Sequence, residues 1–204
     1  MRALLMIFLV FILLCSTHIV AQNKTEEYLI NGNAKAQLND FRGAIQDYSK
    51  AIKIDPNYVD AYYNRGIAKF NIIDNKGAIQ DYTKAIKINP NYAVAYYSRG
   101  NVKFKLKDCR GAIQDFNKAI EINPNYPDAY NNRGIAKGGL ADYQGAIQDY
   151  TVAIKIDSNY AVAYYSRGIA KYVLGETEGA CLDWEKAGEL GEGKAYDFMK
   201  EYCK

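Results

Sequence analysis

A pattern that returns every 34 residues constrains this chain more than any other feature. Gly32, Gly66, Gly100, Gly134 and Gly168 form one column of it. Ala44, Ala78, Ala112, Ala146 and Ala180 form a second, and Tyr48, Tyr82, Phe116, Tyr150 and Trp184 a third. A fixed period of this length belongs to chains built from a supersecondary unit that cannot bury its apolar face alone and must stack on its neighbours. The 49% of apolar residues is then shared along the stack instead of filling one central core. Such a chain presents a long surface, and binding becomes the default role.

The first 21 residues point to export. Arg2 precedes an uncharged apolar run from Ala3 to Cys15, followed by Ser16, Thr17 and His18 and then Ile19-Val20-Ala21. This is the layout of a secretory signal peptide with cleavage expected after Ala21, and it predicts a periplasmic or secreted protein. Two alternatives are a retained membrane anchor and lipidation at Cys15. The run is shorter than the roughly 20 apolar residues of a membrane span, and Leu14 is larger than the residue lipoprotein signals carry there.

Losing residues 1–21 removes only Arg2, leaving 25 Lys+Arg against 23 Asp+Glu. That balance lacks the basic excess of a nucleic-acid binder. His18, the only histidine, leaves with the signal, so no Ser–His–Asp, Cys–His or histidine–metal site is expected. The glycines follow the repeat and do not cluster as a phosphate loop. The chain is expected to be neither an enzyme nor a cofactor or metal binder.

Within residues 59–92, Val59–Ile73 reads as a first helix, with Tyr62, Gly66 and Ile73 among its spaced positions. Asp74 caps a second helix from about Lys76 to Ile88, whose Ala78, Ile79, Tyr82, Ala85 and Ile86 recur at helical spacing. Pro90 stops it. Gly66 and Ala78 are small because antiparallel helices approach closely only where side chains leave room. Tyr82 is the wedge beside them.

These columns, with Ala51, Ala85, Ala119, Ala153 and Ala187 and with Pro56, Pro90 and Pro124, resemble the tetratricopeptide repeat family. The resemblance covers about residues 25–194 and is that of an exported, bacterial-type member. It implies an all-α, right-handed superhelical solenoid of five helix-turn-helix repeats, at 25–58, 59–92, 93–126, 127–160 and 161–194, with a capping helix at 195–204. Arg65, Arg99, Arg133 and Arg167 stand where the family has leucine, and Lys35, Lys69, Lys103, Lys137 and Lys171 where tyrosine is common. Asp47, Asp81, Asp115, Asp149 and Asp183 share their period. The two readings are a ladder of ion pairs on a solvated face and a cationic stripe for an anionic ligand; equal repetition of both signs favours the ladder.

In the family the first helices line a concave groove that holds extended peptides. The resemblance therefore implies groove residues Tyr63, Asn64, Ile67, Phe70, Tyr97, Ser98, Asn101, Phe104, Asn131, Asn132, Tyr165, Ser166 and Tyr172. Tyrosine gives large contact area with a polar tip, and Asn and Ser both donate and accept hydrogen bonds. An alternative for Phe70 and Phe104 is packing between neighbouring first helices. Asn33 and Asn64 match asparagines of the family's carboxylate clamp, but Leu29, Val94 and Ser98 fill its cationic positions, so chaperone tails are not expected. Gly138-Gly139 replaces the Phe104-Lys105 and Tyr172-Val173 of neighbouring copies, which predicts a notch for a ligand side chain, or else a frayed helix end.

The expected function is a protein- or peptide-binding scaffold, with no stable membrane insertion after cleavage. A glycan-binding module and a self-assembling structural protein, as homo-oligomer, are the alternatives. Cys181 occupies a column filled elsewhere by isoleucine, and Cys203 borders the apolar side of the capping helix. Their joining in an oxidising compartment is expected, with Cys109 left over.

Overall fold

A computed structural model describes residues 22–203; the expected export signal lies outside the described residues. These residues are helical, with no strand among them, and divide into two compact units. The unit ending at Pro90 holds α1 (22–37), α2 (Phe41–Ile54), α3 (Val59–Asn71) and α4 (Asn75–Ile88). The unit beginning at Asn91 holds α5 (Ala93–Lys105), α6 (Cys109–Ile122), α7 (Pro127–Gly138), α8 (Tyr143–Ile156), α9 (Ala161–Val173), α10 (Thr177–Glu189) and α11 (Lys194–Tyr202). None of the described helices is long and apolar enough to cross a membrane.

The even-numbered helices start at a chemical switch. Asp40, Asp74, Asp108 and Asp142 each accept the backbone N–H of the glycine three residues on, at 2.9 Å. This satisfies one of the amides that a first turn leaves unpaired. A Cβ on Gly77 would stand 2.1 Å from Asp74 Oδ2, so the cap needs its glycine. In α10 Glu176 takes the cap position and makes no such bond.

The turn before each cap uses a left-handed residue. Asn39, Ile73, Lys107, Ala141 and Gly175 have φ of 61°, 67°, 66°, 62° and 82°. The amide of Asp74 then returns to the Lys69 carbonyl at 2.9 Å and closes the end of α3. The first helix expected to reach Ile73 therefore ends at Asn71, and Ile73 lies 73% exposed in the turn. Its apolar character placed it on the helix face, but the cap at Asp74 leaves no residues for another helical turn.

α2, α6 and α8 end in Asx turns. Asp55, Asn123 and Asp157 accept from the amide two residues on at 2.8, 3.1 and 3.0 Å. The turn at Asp157 forms with Ser158 where other copies have proline.

The core is a ladder of small and large side chains. Ala44, Ala78, Ala112, Ala146 and Ala180 are fully buried, as are Ala51, Ala85, Ala119, Ala153 and Ala187. Each glycine of the first column faces the ring sixteen residues on. A Cβ on Gly66 would lie 2.6 Å from Tyr82 Cε1, and one on Gly168 would lie 2.5 Å from Trp184 Nε1. The close helix–helix approach that the ring fills exists only because those positions lack a side chain.

Candidate binding surface

The cationic column is committed to structure. In the first unit Arg65 Nη2 and Nε reach Asp81 Oδ1 and Oδ2 at 2.7 and 2.8 Å, and Lys69 Nζ reaches Asp81 Oδ2 at 2.7 Å. In the second unit Arg99 and Lys103 hold Asp115, Arg133 and Lys137 hold Asp149, and Arg167 and Lys171 hold Asp183. The basic side chains of these triads are 15–22% exposed and the carboxylates 4–6%. The ion pairs are therefore largely buried, not set on a solvated face as expected. The Arg guanidinium groups also lie over Tyr62, Tyr96, Tyr130 and Tyr164, 5.3–5.5 Å from the ring centroids. Arg65 Nη1 donates to Ser49 at 3.0 Å, and Arg133 and Arg167 donate to Asn117 and Thr151 of the preceding even helix. Arg65, Arg133 and Arg167 so fix both the inside of their own helix pair and the seam to the pair before it.

Asp47 lacks an arginine partner and uses Lys35 and Lys50 instead. Burial pushes its carboxyl up, but the hydrogen bonds from the two lysines outweigh this and hold it below its ordinary value. The Tyr48 hydroxyl, donating to Asn33 Oδ1 at 2.8 Å, is pushed up to about 12 by burial.

On the odd-numbered helices the structure brings several groove candidates together. In the first unit Asn64 Nδ2 donates to Asn33 Oδ1 at 3.1 Å, and Tyr63 packs on Tyr82 with ring centroids 5.8 Å apart. Ile67 and Phe70 are half-buried on the same helix. In the second unit Asn132 Nδ2 bridges Tyr97 Oη at 3.0 Å and Asn101 Oδ1 at 2.9 Å. Tyr97 stacks on Phe116 and Tyr126 at 5.9 and 4.9 Å, with half-exposed Ser98 beside it. This is a half-exposed strip of rings and amides held in fixed orientation.

Other candidates are placed differently. Asn131 is only 2% exposed, so it offers nothing to solvent; its Nδ2 donates to Asn132, while its buried Oδ1 has no hydrogen-bond partner. Tyr165 and Tyr172 pack against α11: Phe198 meets Tyr165 edge-on at 5.4 Å and Tyr202 lies 4.6 Å from Tyr172. Their place at the last helix pair makes them contacts for the terminal helix, although Tyr172 keeps 37% of its surface. Phe104 packs on Ala112, Phe116 and Ala136, the packing role open to it from its spacing. Cys181 and Cys203 are joined, with Cα atoms 5.8 Å apart, and Cys109 is a free thiol.

A cleft of about 370 Å³ opens between α7, α8 and α9, walled by Ile135, Gly138, Tyr143, Tyr150, Ser166 and Ile169. The Tyr150 hydroxyl is hydrogen-bonded with Ser166, and burial pushes its pKa up. The cleft lies where Gly138 removes a side chain: a Cβ there would have nothing within 4 Å. Among the described residues no group of His, Cys, Asp and Glu could hold a metal ion.

The family model for the TPR repeat matches residues 32–72, 74–107 and 100–140, more than half of the chain, and a further tetratricopeptide repeat model matches 127–160. The chain belongs to the tetratricopeptide repeat family. Two crystal structures of MamA are 32% and 31% identical to it, with TM-scores of 0.75 and 0.76. They cover 81% and 86% of this chain and 96% of their own. YrrB, described as a TPR protein with an unusual peptide-binding site, is 23% identical, covers 90% of this chain and 97% of its own, and has a TM-score of 0.74. No curated protein sequence matches the chain. Family membership accounts for the helix pairs, the glycine–aromatic contacts and the small-residue columns.

Proposed function

We propose that this protein is a non-enzymatic scaffold that binds a segment of another protein, or an extended peptide, on the inner faces of its odd-numbered helices after export to the periplasm or beyond. The observation that carries the reading is the Asn132 amide, whose Nδ2 is shared between Tyr97 Oη and Asn101 Oδ1. A half-exposed polar network already fixed in place suits an extended chain, because the ordering cost of binding falls when the contacts are preorganised. The basic side chains are spent on Asp81, Asp115, Asp149 and Asp183, which argues against an anionic ligand on that column. The chain's single histidine falls in the expected export signal, which supports a role without hydrolytic chemistry. A bond between Cys181 and Cys203 suits an oxidising compartment.

The test is a tiled array of extended peptides probed with labelled protein, followed by titration of the best binders. Asn64→Ala and Asn101→Ala are expected to weaken binding about tenfold together, roughly 1.4 kcal/mol, with an unchanged melting temperature. Uniform weak signal across the array, or binding indifferent to both substitutions, would overturn the reading. Fractionation of a tagged full-length chain tests export.

A further inference from the structure

We infer that the cleft between α7, α8 and α9 is a socket for a single aromatic side chain presented by the bound protein segment, an inference that rests on the peptide-binding reading above. The socket arises from a difference between two neighbouring repeats of the chain. In α5 and α6 the floor of Ala112 and Phe116, joined by Ala136 of α7, is covered by Tyr97 and Phe104. Thirty-four residues on, Ala146 and Tyr150 with Ala170 of α9 build the same floor. Above it, Asn131 stands at the register of Tyr97 and Gly138 at that of Phe104. Two rings are lost. One is returned, because Tyr143 takes the register of Cys109 and packs on this floor with Ile135 and Ile147. The deficit is one ring, and it appears as open space: a Cβ on Gly138 would touch nothing within 4 Å, and the cleft above the floor measures about 370 Å³.

The occupant's chemistry follows from the lining. In the preceding repeat the equivalent floor is covered by the phenyl ring of Phe104. The cleft's walls include two more rings, Tyr143 and Tyr150, with the isoleucines Ile135 and Ile169. Aromatic pairs gain a geometric attraction beyond the area they bury, so a phenyl-sized ring is preferred to an aliphatic side chain. No charged residue lines the cleft. A cationic or anionic side chain would lose its hydration there without a partner.

The test uses the full chain with labelled isoleucine methyls, titrated with three capped tripeptides in which glycine flanks Phe, Leu or Ala. The phenylalanine peptide is expected to shift the Ile135 and Ile169 methyl signals saturably at roughly millimolar concentration, the range of a single-side-chain contact. The leucine peptide should bind severalfold more weakly and the alanine peptide should leave the signals in place. Gly138→Phe should abolish the response, and Gly138→Leu, which crowds the cleft less, should weaken it at least severalfold. Equal responses to the three peptides, or a response that survives Gly138→Leu, would overturn the socket. So would movement of these methyls on protein concentration alone, because the occupant would then be a second copy. If the socket response is absent while array peptides still depend on Asn64 and Asn101, the socket alone fails; if both are absent, the groove reading fails with it.

Discussion

Gly66 faces Tyr82 so closely that a Cβ on the glycine would lie 2.6 Å from the ring's Cε1. Gly138, also helical, has no neighbour within 4 Å of the same added atom. One substitution chemistry therefore has opposite signs at the two positions. Gly66→Ala should destabilise by about 1–3 kcal/mol through overpacking. Gly138→Ala should stabilise by up to about 1 kcal/mol, because alanine is the better helix former. Thermal melts of the two variants decide this, and matching shifts would show that these contacts do not govern stability.

Ile73 stores strain. A β-branched residue in the left-handed region is disfavoured, and its side chain lies exposed in the turn, with little apolar burial to offset the cost. Ile73→Gly should raise stability by about 1 kcal/mol, measured by denaturant unfolding. A loss of stability would mean that Ile73 is held by packing not evident from its exposure.

Truncating a triad should cost far more than truncating a surface pair. Asp115 is buried and held by Arg99 and Lys103, whereas Lys118 and Glu121 meet in solvent. Asp115→Ala leaves two cations without their partner and should cost about 3–5 kcal/mol. Glu121→Ala should cost less than about 1 kcal/mol. Comparable losses would place the triads among ordinary surface pairs.

Asp47 gives the chain a defined acid sensitivity. Its folded carboxyl titrates below the ordinary 3.8, so the unfolded state binds the proton first. The stabilising effect is complete above about pH 3.8 and is lost as pH falls through the folded value. Asp47→Asn should melt earlier than the parent at neutral pH, with the two converging in acid once the pH has fallen through the folded value. A difference that persists undiminished in acid would contradict this assignment.

Reducing the Cys181–Cys203 bond should free the end of α11 and lower stability by about 3 kcal/mol, the scale for a loop of this size. Hydrogen exchange across Lys194–Tyr202 should accelerate first. Unchanged exchange there would show that Phe198 and Tyr202 hold the helix unaided.

The helix pairs were legible because Gly66, Ala78 and Tyr82 do one packing job in copy after copy, and repetition exposes such constraints. The end of α3 was not, because an apolar residue before a capped aspartate reads equally as helix face or turn. The Asp74–Gly77 spacing, repeated at Asp40–Gly43, Asp108–Gly111 and Asp142–Gly145, carried the missing signal. The Tyr62–Arg65 stacking was also written at a three-residue helical spacing. Burial of the triads was not legible, since charge periodicity does not report depth. On the surface, Tyr165 falls in the column of Tyr63 and Tyr97 and Tyr172 in that of Phe70 and Phe104, and the docking of α11 on the last copy is not written in either column.

That docking covers an apolar face on which another helix could stack. A repeat stack carries no internal instruction to stop, and an open apolar end can accept another molecule's first helix and so propagate into a filament. Here Phe198 and Tyr202 pack on the rings of Tyr165 and Tyr172, and Cys203 fastens the helix that carries them. Another molecule's helix stacking on these rings would have to displace a helix that the Cys181–Cys203 bond tethers to α10.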